Sequence, residues 1–282
     1  MRNLWTLGGL SLPELLRRTA RESWQDAVFG QGGRMAFYHF LALFPSLLLF
    51  FVITAQIPHL GDHMKAVVQQ ISTQLLPEQA VQAFLRTIDE LQERSRLGIQ
   101  HLLPACAGAA WAALNGTWVL IYGLNNAYEV KEDRSWWQLA STIIGLTVCL
   151  AVTASIAVVL IFGTAYLQVK LHKDELLFRG AAWLILIVAL SFSFAVLYRF
   201  APNLRDHEWQ WSTPGALCAL ILWIGSTFGA RIYFAHVNYA RSYGHLNGVV
   251  VLLLWLYLTN GAILIGGEMN SEIEKTATAK QR

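Results

Sequence analysis

Charge is the first thing this chain lacks. Only 39 of its 282 residues are Lys, Arg, Asp or Glu, 14% of the total, against roughly 25% in a soluble domain. Cysteine is scarce too. Cys106, Cys149 and Cys218 are odd in number and show no C-x-x-C spacing, which argues against a disulfide or zinc framework. All three fall in apolar stretches and read as small core residues. No H-E-x-x-H, G-x-S-x-G or H-x-H-x-D-H occurs, so neither a hydrolytic metal centre nor a nucleophile elbow is visible. His59 and His63, with Asp62 between them, have ligand spacing but no third partner. There is no nucleotide-binding motif, so direct use of ATP is not expected. Nor is any cofactor, metal or enzymatic activity. A net charge of +3 is too small to point to nucleic acid. These absences exclude an ordinary soluble enzyme, a disordered chain and a secreted disulfide scaffold.

What is present is apolar length. Six stretches, 35–57, 102–122, 139–167, 181–200, 214–236 and 246–267, cover 138 residues and hold two charges, Arg199 and Arg231. An even spread would place about 19 there, 14% of 138. Each stretch can cross a hydrocarbon core, which takes about 20 helical residues. Lipid leaves backbone groups no outside partner, so the spans should be helices. The period-2 alternation of a membrane barrel is missing. The sequence therefore predicts an all-α integral membrane protein with six transmembrane helices. Residues 1–34 form a cytoplasmic N-terminal segment, 35–270 the bundle, and 271–282 a cytoplasmic tail. The bundle carries one extramembrane insertion, 58–101.

Orientation follows the placement of Lys and Arg near the span ends. With the N-terminus inside, twelve lie on the inner side and eight on the outer, four of those eight within 58–101. Both termini are expected in the cytoplasm. The first residues do not read as a cleavable signal, because 4–10 is short and runs into Pro13-Glu14. The first span is expected to act as the insertion signal.

Ser11-Leu12-Pro13-Glu14 has the spacing of a capping box. Leu12, Leu15, Leu16 and Thr19 share one side of the helix that follows, while Arg17, Arg18 and Arg21 lie toward the other. Such a helix can lie at the membrane interface beside anionic headgroups, or pack on its own bundle. Periodicity does not separate the two. Gly30–Gly33 is expected to break the helix before the first span. In 58–101, Val67, Ile71 and Leu75, then Val81, Phe84, Leu85, Ile88 and Leu91, predict two amphipathic helices parted at Leu76-Pro77. They should cover the outer mouth of the bundle or meet a second copy of the chain. Ala105/Ala109, Ala151/Ser155 and Gly225/Gly229 have the spacing for close helix packing. Pro45 and Pro104 are candidate helix kinks.

Three motifs resemble those of the YihY/BrkB inner-membrane family, once labelled ribonuclease BN. One is the run from Phe37 to Pro45, similar to Y-Y-x-L-x-S-L-F-P, with Ala42 in place of the serine and His39 where a small residue is usual. The second runs from Leu124 to Arg134, similar to L-N-x-A-Y-x-V-x-E-x-R. The third contains Tyr243-Gly244-His245-Leu246 and Leu254-Trp255-Leu256-Tyr257, and ends in Gly266-Gly267-Glu268-Met269-Asn270. The resemblance implies a six-span protein of the cytoplasmic membrane with both termini inside. Family members are described as serum-resistance factors or candidate exporters.

Candidate functional residues are few. Arg231 lies about 17 residues into the fifth span, where a charge costs at least ~2.5 kcal/mol on insertion scales. It either attracts an anion in a pathway or snorkels outward. Glu268, at the end of the sixth span, is a candidate gate or proton site, and Asn270 lies beside it. Pairing of Arg231 with Glu268 would need a bend, since they sit toward opposite leaflets. Asn115 in the second span reads as interhelical glue or as part of the pathway. Asn125, Tyr128, Glu129 and Arg134 form a cytoplasmic loop that packs its own turn or contacts a headgroup. Tyr233, Tyr239, Tyr243 and Tyr257, with Trp223 and Trp255, line a passage or form an interfacial belt, the belt being expected for most. Arg231, Glu268, Asn115, Tyr239, Tyr243 and Asn270 make up the expected substrate pathway.

The function these features suggest is a transporter or exporter of a lipid, amphiphile or small polar solute. Its partners would be membrane lipids and a second copy of the chain, with no nucleic acid. A non-transporting envelope scaffold binding through 58–101 is the alternative. A ribonuclease, the old family label, is disfavoured by the missing metal constellation.

Overall fold

The computed structural model describes residues 4–55, 99–171, 175–204, 213–236 and 247–279. Among them there are helices and no strands. A short 3-10 segment, Leu4–Gly9, precedes α1 (Leu12–Gln25), α2 (Val28–Ala55), α3 (Ile99–Ala127), α4 (Trp136–Leu171), α5 (Glu175–Phe200), α6 (Pro214–His236) and α7 (Asn247–Ala279). The insertion up to residue 98, with its histidines and its two expected helices, lies outside the described residues. So do Tyr239 and Tyr243.

Helix α1 begins where the sequence places it, after Ser11 and with proline in the first turn. The capping box itself is not made. Ser11 contributes no side-chain cap, and Glu14 instead accepts hydrogen bonds from Arg17 and Arg18. Those two guanidiniums hold its carboxyl down to about 2. One face of α1 (Leu15, Thr19 and Ser23) is buried, while Leu12, Leu16 and Trp24 stay exposed. The helix thus packs on its own bundle and still presents an apolar edge outward.

The expected break at Gly30–Gly33 does not occur. Helix α2 runs through all three glycines, and the chain turns earlier, at Asp26–Ala27, where Ala27 adopts φ 49°. The glycines serve packing instead. A β-carbon on Gly32 would stand 3.4 Å from the Gly261 nitrogen of α7, and one on Gly33 3.8 Å from the Tyr257 ring. Neither Pro45 nor Pro104 interrupts its helix.

Three described stretches, Trp136–Ile156, Gly180–Phe200 and Val249–Ala279, are long and apolar enough to cross a membrane, and Pro214–Ala230 is a shorter apolar helix. Their outer faces carry Ile144, Val148, Val152, Leu184, Val188 and Ile221, all exposed. An exposed apolar surface of that extent marks contact with lipid or protein rather than water. Helix α7, 33 residues and so about 50 Å long, exceeds a hydrocarbon core of roughly 30 Å. Its last turns therefore lie past the expected span end at residue 267.

The chain divides into two compact units. One holds residues 40–113 and 154–187, that is, the later part of α2, the start of α3, the later part of α4 and the first half of α5. Ala109 and Ala112 are buried there, and Trp183, Leu184 and Ile185 are exposed. The other holds the N-terminal segment to residue 39, 114–153 and everything from 188 onward. Its centre is α7, against which α6, α1 and the 3-10 segment pack. Every functional feature described below belongs to this second unit.

Candidate functional site

Glycines set the spacing around α7. A β-carbon on Gly215 would stand 2.6 Å from the Asn270 side chain and would overlap the Gly266 carbonyl. One on Gly266 would strike the Tyr198 hydroxyl, and one on Gly267 would stand 2.6 Å from Leu124. Backbone stands in the way of any side chain at Gly215 and Gly266, and at Gly267 the Leu124 side chain would have to shift, so α3, α5 and α6 all touch the backbone of α7 near one level. Tyr198 donates to the Ile263 carbonyl at 2.7 Å.

Asn270 is fully buried and spent on structure. Its Oδ1 accepts from the Gly215 N–H at 2.9 Å, and its Nδ2 donates to Thr213 Oγ1 at 2.9 Å. Thr213 Oγ1 accepts from the Ala216 N–H. Together they satisfy first-turn donors of α6 that have no intrahelical partner.

The loop after α3 is a second structural unit. Val130 N–H donates to the Asn125 carbonyl and Glu129 N–H to the Asn126 carbonyl, with Glu129 at φ 52°. This is the Schellman pattern that closes a helix C-terminus. Asn125 then donates to Glu132 at 2.9 Å and accepts from the Asn203 N–H at 2.8 Å. Arg134 donates to Glu132, to the Phe200 carbonyl at 3.2 Å and to the Ala201 carbonyl at 2.9 Å. It thereby caps α5 from the neighbouring loop. Burial pushes the Glu132 carboxyl up, but hydrogen bonds from Arg134 and Asn125 outweigh it and hold it below its ordinary value. Glu129 accepts from Lys275 at 2.8 Å, which ties the loop to α7.

The remaining polar groups are not spent. The N-terminal segment runs antiparallel to α7. Leu15 clusters with Met269 and Ile273, Glu22 and Asp26 act on Glu268, and Gln31 and Leu264 meet over Gly123. His39 lies on Gly116 and faces Asn260. Along this seam several buried atoms have no hydrogen-bond partner: Thr19 Oγ1, Ser23 Oγ, Gln31 Oε1, Thr259 Oγ1, the Asn260 amide and both oxygens of Glu268. Glu268 is 1% exposed. Asp26 lies beside it without hydrogen-bond geometry, as Tyr128 does beside Asn270. Native interiors pair nearly all such groups, and an unpaired buried carboxylate is the costliest of them.

Of the expected pathway residues, the structure therefore leaves Glu268 open and commits Asn270 to a cap. Arg231 lies on α6, sixteen residues from Gly215 and so about 24 Å along the helix. Gly215 adjoins Asn270, so Arg231 and Glu268 are not brought together. The Arg231 side chain is not among those described. Asn115 lines a cleft of about 410 Å³ between α3 and α4 with Leu114, Trp118 and Trp136. Trp223 and Trp255 meet across α6 and α7. Their rings meet edge to face at 6.5 Å, and Trp255 donates to Thr227. Tyr257 packs against Phe29. Of the expected small-residue pairs, Gly225 and Gly229 are exposed, and a β-carbon on either meets no described atom within 4 Å. The packing glycine of α6, Gly215, sits about three to four turns nearer the N-terminal end of the helix, a difference spacing alone does not reveal. Asn260, Gln31, Thr19 and Ser23 were missed as site residues, although a polar Asn inside the apolar run of α7 was the available signal.

A model for the family described as virulence factor BrkB matches residues 19–282. The chain belongs to the virulence factor BrkB family. The BrkB-family chain is 30% identical to the ribonuclease-like protein YfkH of Bacillus subtilis (strain 168), over 87% of its own length and 90% of that relative. It is 23% identical to a UPF0761 membrane protein of Pseudoalteromonas atlantica, covering 89% of itself and 82% of the relative. A UPF0761 membrane protein of Tolumonas auensis is 22% identical, with 90% and 83% covered. No solved structure matches. Together with the apolar helices, these findings make the chain a bacterial membrane protein of the BrkB family.

Proposed function

We propose that this chain is a six-span protein of the inner membrane, both termini cytoplasmic, that moves a lipid, amphiphile or small polar solute without covalent chemistry. The observation that carries this reading is the seam along α7. It lines up unpartnered Glu268, Asn260, Thr19 and Ser23 in the interior of the bundle, where buried Asn270 and Thr213 are paired. A scaffold gains nothing from unpaired buried polar groups, whereas a conduit uses them to replace water around a passing solute. Arg231 and the tyrosines at 239 and 243 would serve the opposite half of the path.

The test is transport by the full-length protein in proteoliposomes against a panel of labelled lipids, amphiphiles and polar solutes. Wild type should move at least one of them faster than empty liposomes. Glu268→Gln and Arg231→Ala should each slow that movement severalfold. Rates equal to empty liposomes across the panel would overturn the proposal. RNA cleavage is raised by the name of one relative. Against it, the described residues group no three His, Cys, Asp or Glu that could hold a metal ion. Cleavage by protein freed of contaminating nucleases, and lost in a point variant of this chain, would revive it.

A further inference from the structure

We propose that the buried end of the seam is a proton-binding site, with Glu268 as the group that takes up and releases the proton. Both carboxylate oxygens are buried and neither has a hydrogen-bond partner. The charges that face it do not compensate. Asp26 and Glu22, from the α1 end and the turn after it, are negative. Tyr128, in the turn just after α3, is a neutral phenol. Lys275, on the same helix, is the cation in reach, but its ammonium pairs with Glu129 at 2.8 Å and Glu272 at 3.4 Å. An ionised carboxylate so placed needs a neutralising cation.

The proton is the cation that fits. The described residues offer no group of three metal ligands, so a coordinated ion lacks a cage. A proton needs one oxygen. It comes from water, an O–H bond forms at one Glu268 oxygen, and the site becomes neutral. Release reverses the step. Thr19 Oγ1 and Ser23 Oγ lie buried and unpartnered on the face of α1 that also buries Leu15. The inference concerns binding alone, so it stands or falls separately from solute transport.

Infrared difference spectroscopy on the full-length protein in detergent tests it. At neutral pH wild type should show the carbonyl stretch of a protonated carboxylic acid, lost as pH rises and missing in Glu268→Gln. Asp26→Asn, which removes a facing negative charge, should lower the pH at which the band disappears. Glu268→Gln mimics the protonated form and should fold, with a melting temperature that no longer shares the wild-type response to alkaline pH. A neutral-pH spectrum of wild type without the band overturns the proposal. So does a band that survives Glu268→Gln. Stabilisation of wild type by sodium at fixed pH, absent in Glu268→Gln and without the acid band, would assign the site to a metal cation and also overturn it.

Discussion

Arg134 divides one guanidinium among Glu132 and the carbonyls of Phe200 and Ala201. Its side chain is 13% exposed and Ala201 is fully buried, so the Ala201 carbonyl it leaves behind would find little water. Arg134→Ala should destabilise by about 2 kcal/mol, within the range for stranding buried acceptors, and thermal melts in detergent check it. The same network carries a pH signature. Glu132 has a lowered folded value, so its contribution is present above the ordinary carboxylate value of about 4 and is lost as pH falls through the folded one. Acid melts of wild type should therefore fall more steeply below about pH 4 than those of Glu132→Gln. Equal slopes would remove Glu132 from the account.

Helix α7 shows how much packing depends on missing side chains. Gly215 and Gly266 meet where α6 crosses α7, with the Asn270 cap beside them. Gly215→Ala should cost 3 kcal/mol or more, at or above the usual ~1–3 kcal/mol of overpacking, because backbone and not a flexible side chain stands in the way. Gly225→Ala, ten residues on and open, should be close to neutral and should gain slightly in helix propensity. Similar melting temperatures for the two variants would contradict the crossing. The paired glycines at 266–267 and the motif ending in Asn270 were visible in the sequence. Which glycines pack was not, because a helix face is chosen by the neighbour it meets. The turn at Ala27 escaped for a related reason. Sequence favours glycine for a left-handed residue, and three glycines stood a few positions away.

At the scale of the whole molecule, the helical class and the membrane character were legible because lipid imposes them on composition directly. Helices α2 to α7 coincide with the six apolar stretches and extend beyond most of them. The polar seam was only half legible. Glu268 stood out as an acid at a span end. Its partnerless state depends on α1 and α2 folding back along α7, a long-range contact that no local period encodes. One end of the second unit gathers the α3–α4 loop, the close of α5, the start of α6 and the close of α7. Exposed Trp136, Trp137, Trp24 and Trp5 suit an interfacial belt around that end. The six-span account requires all of these connections on one side of the membrane.

Single-cysteine labelling in whole cells and inverted vesicles tests this most directly. Cys106, Cys149 and Cys218 are first replaced by serine, and one cysteine is then introduced at Ser11, Glu129, Leu204 or Ala279. All four positions should resist an impermeant thiol reagent added outside and react in inverted vesicles, while a cysteine at Gly61 behaves in the opposite way. Labelling that splits the four between the two sides would contradict the account.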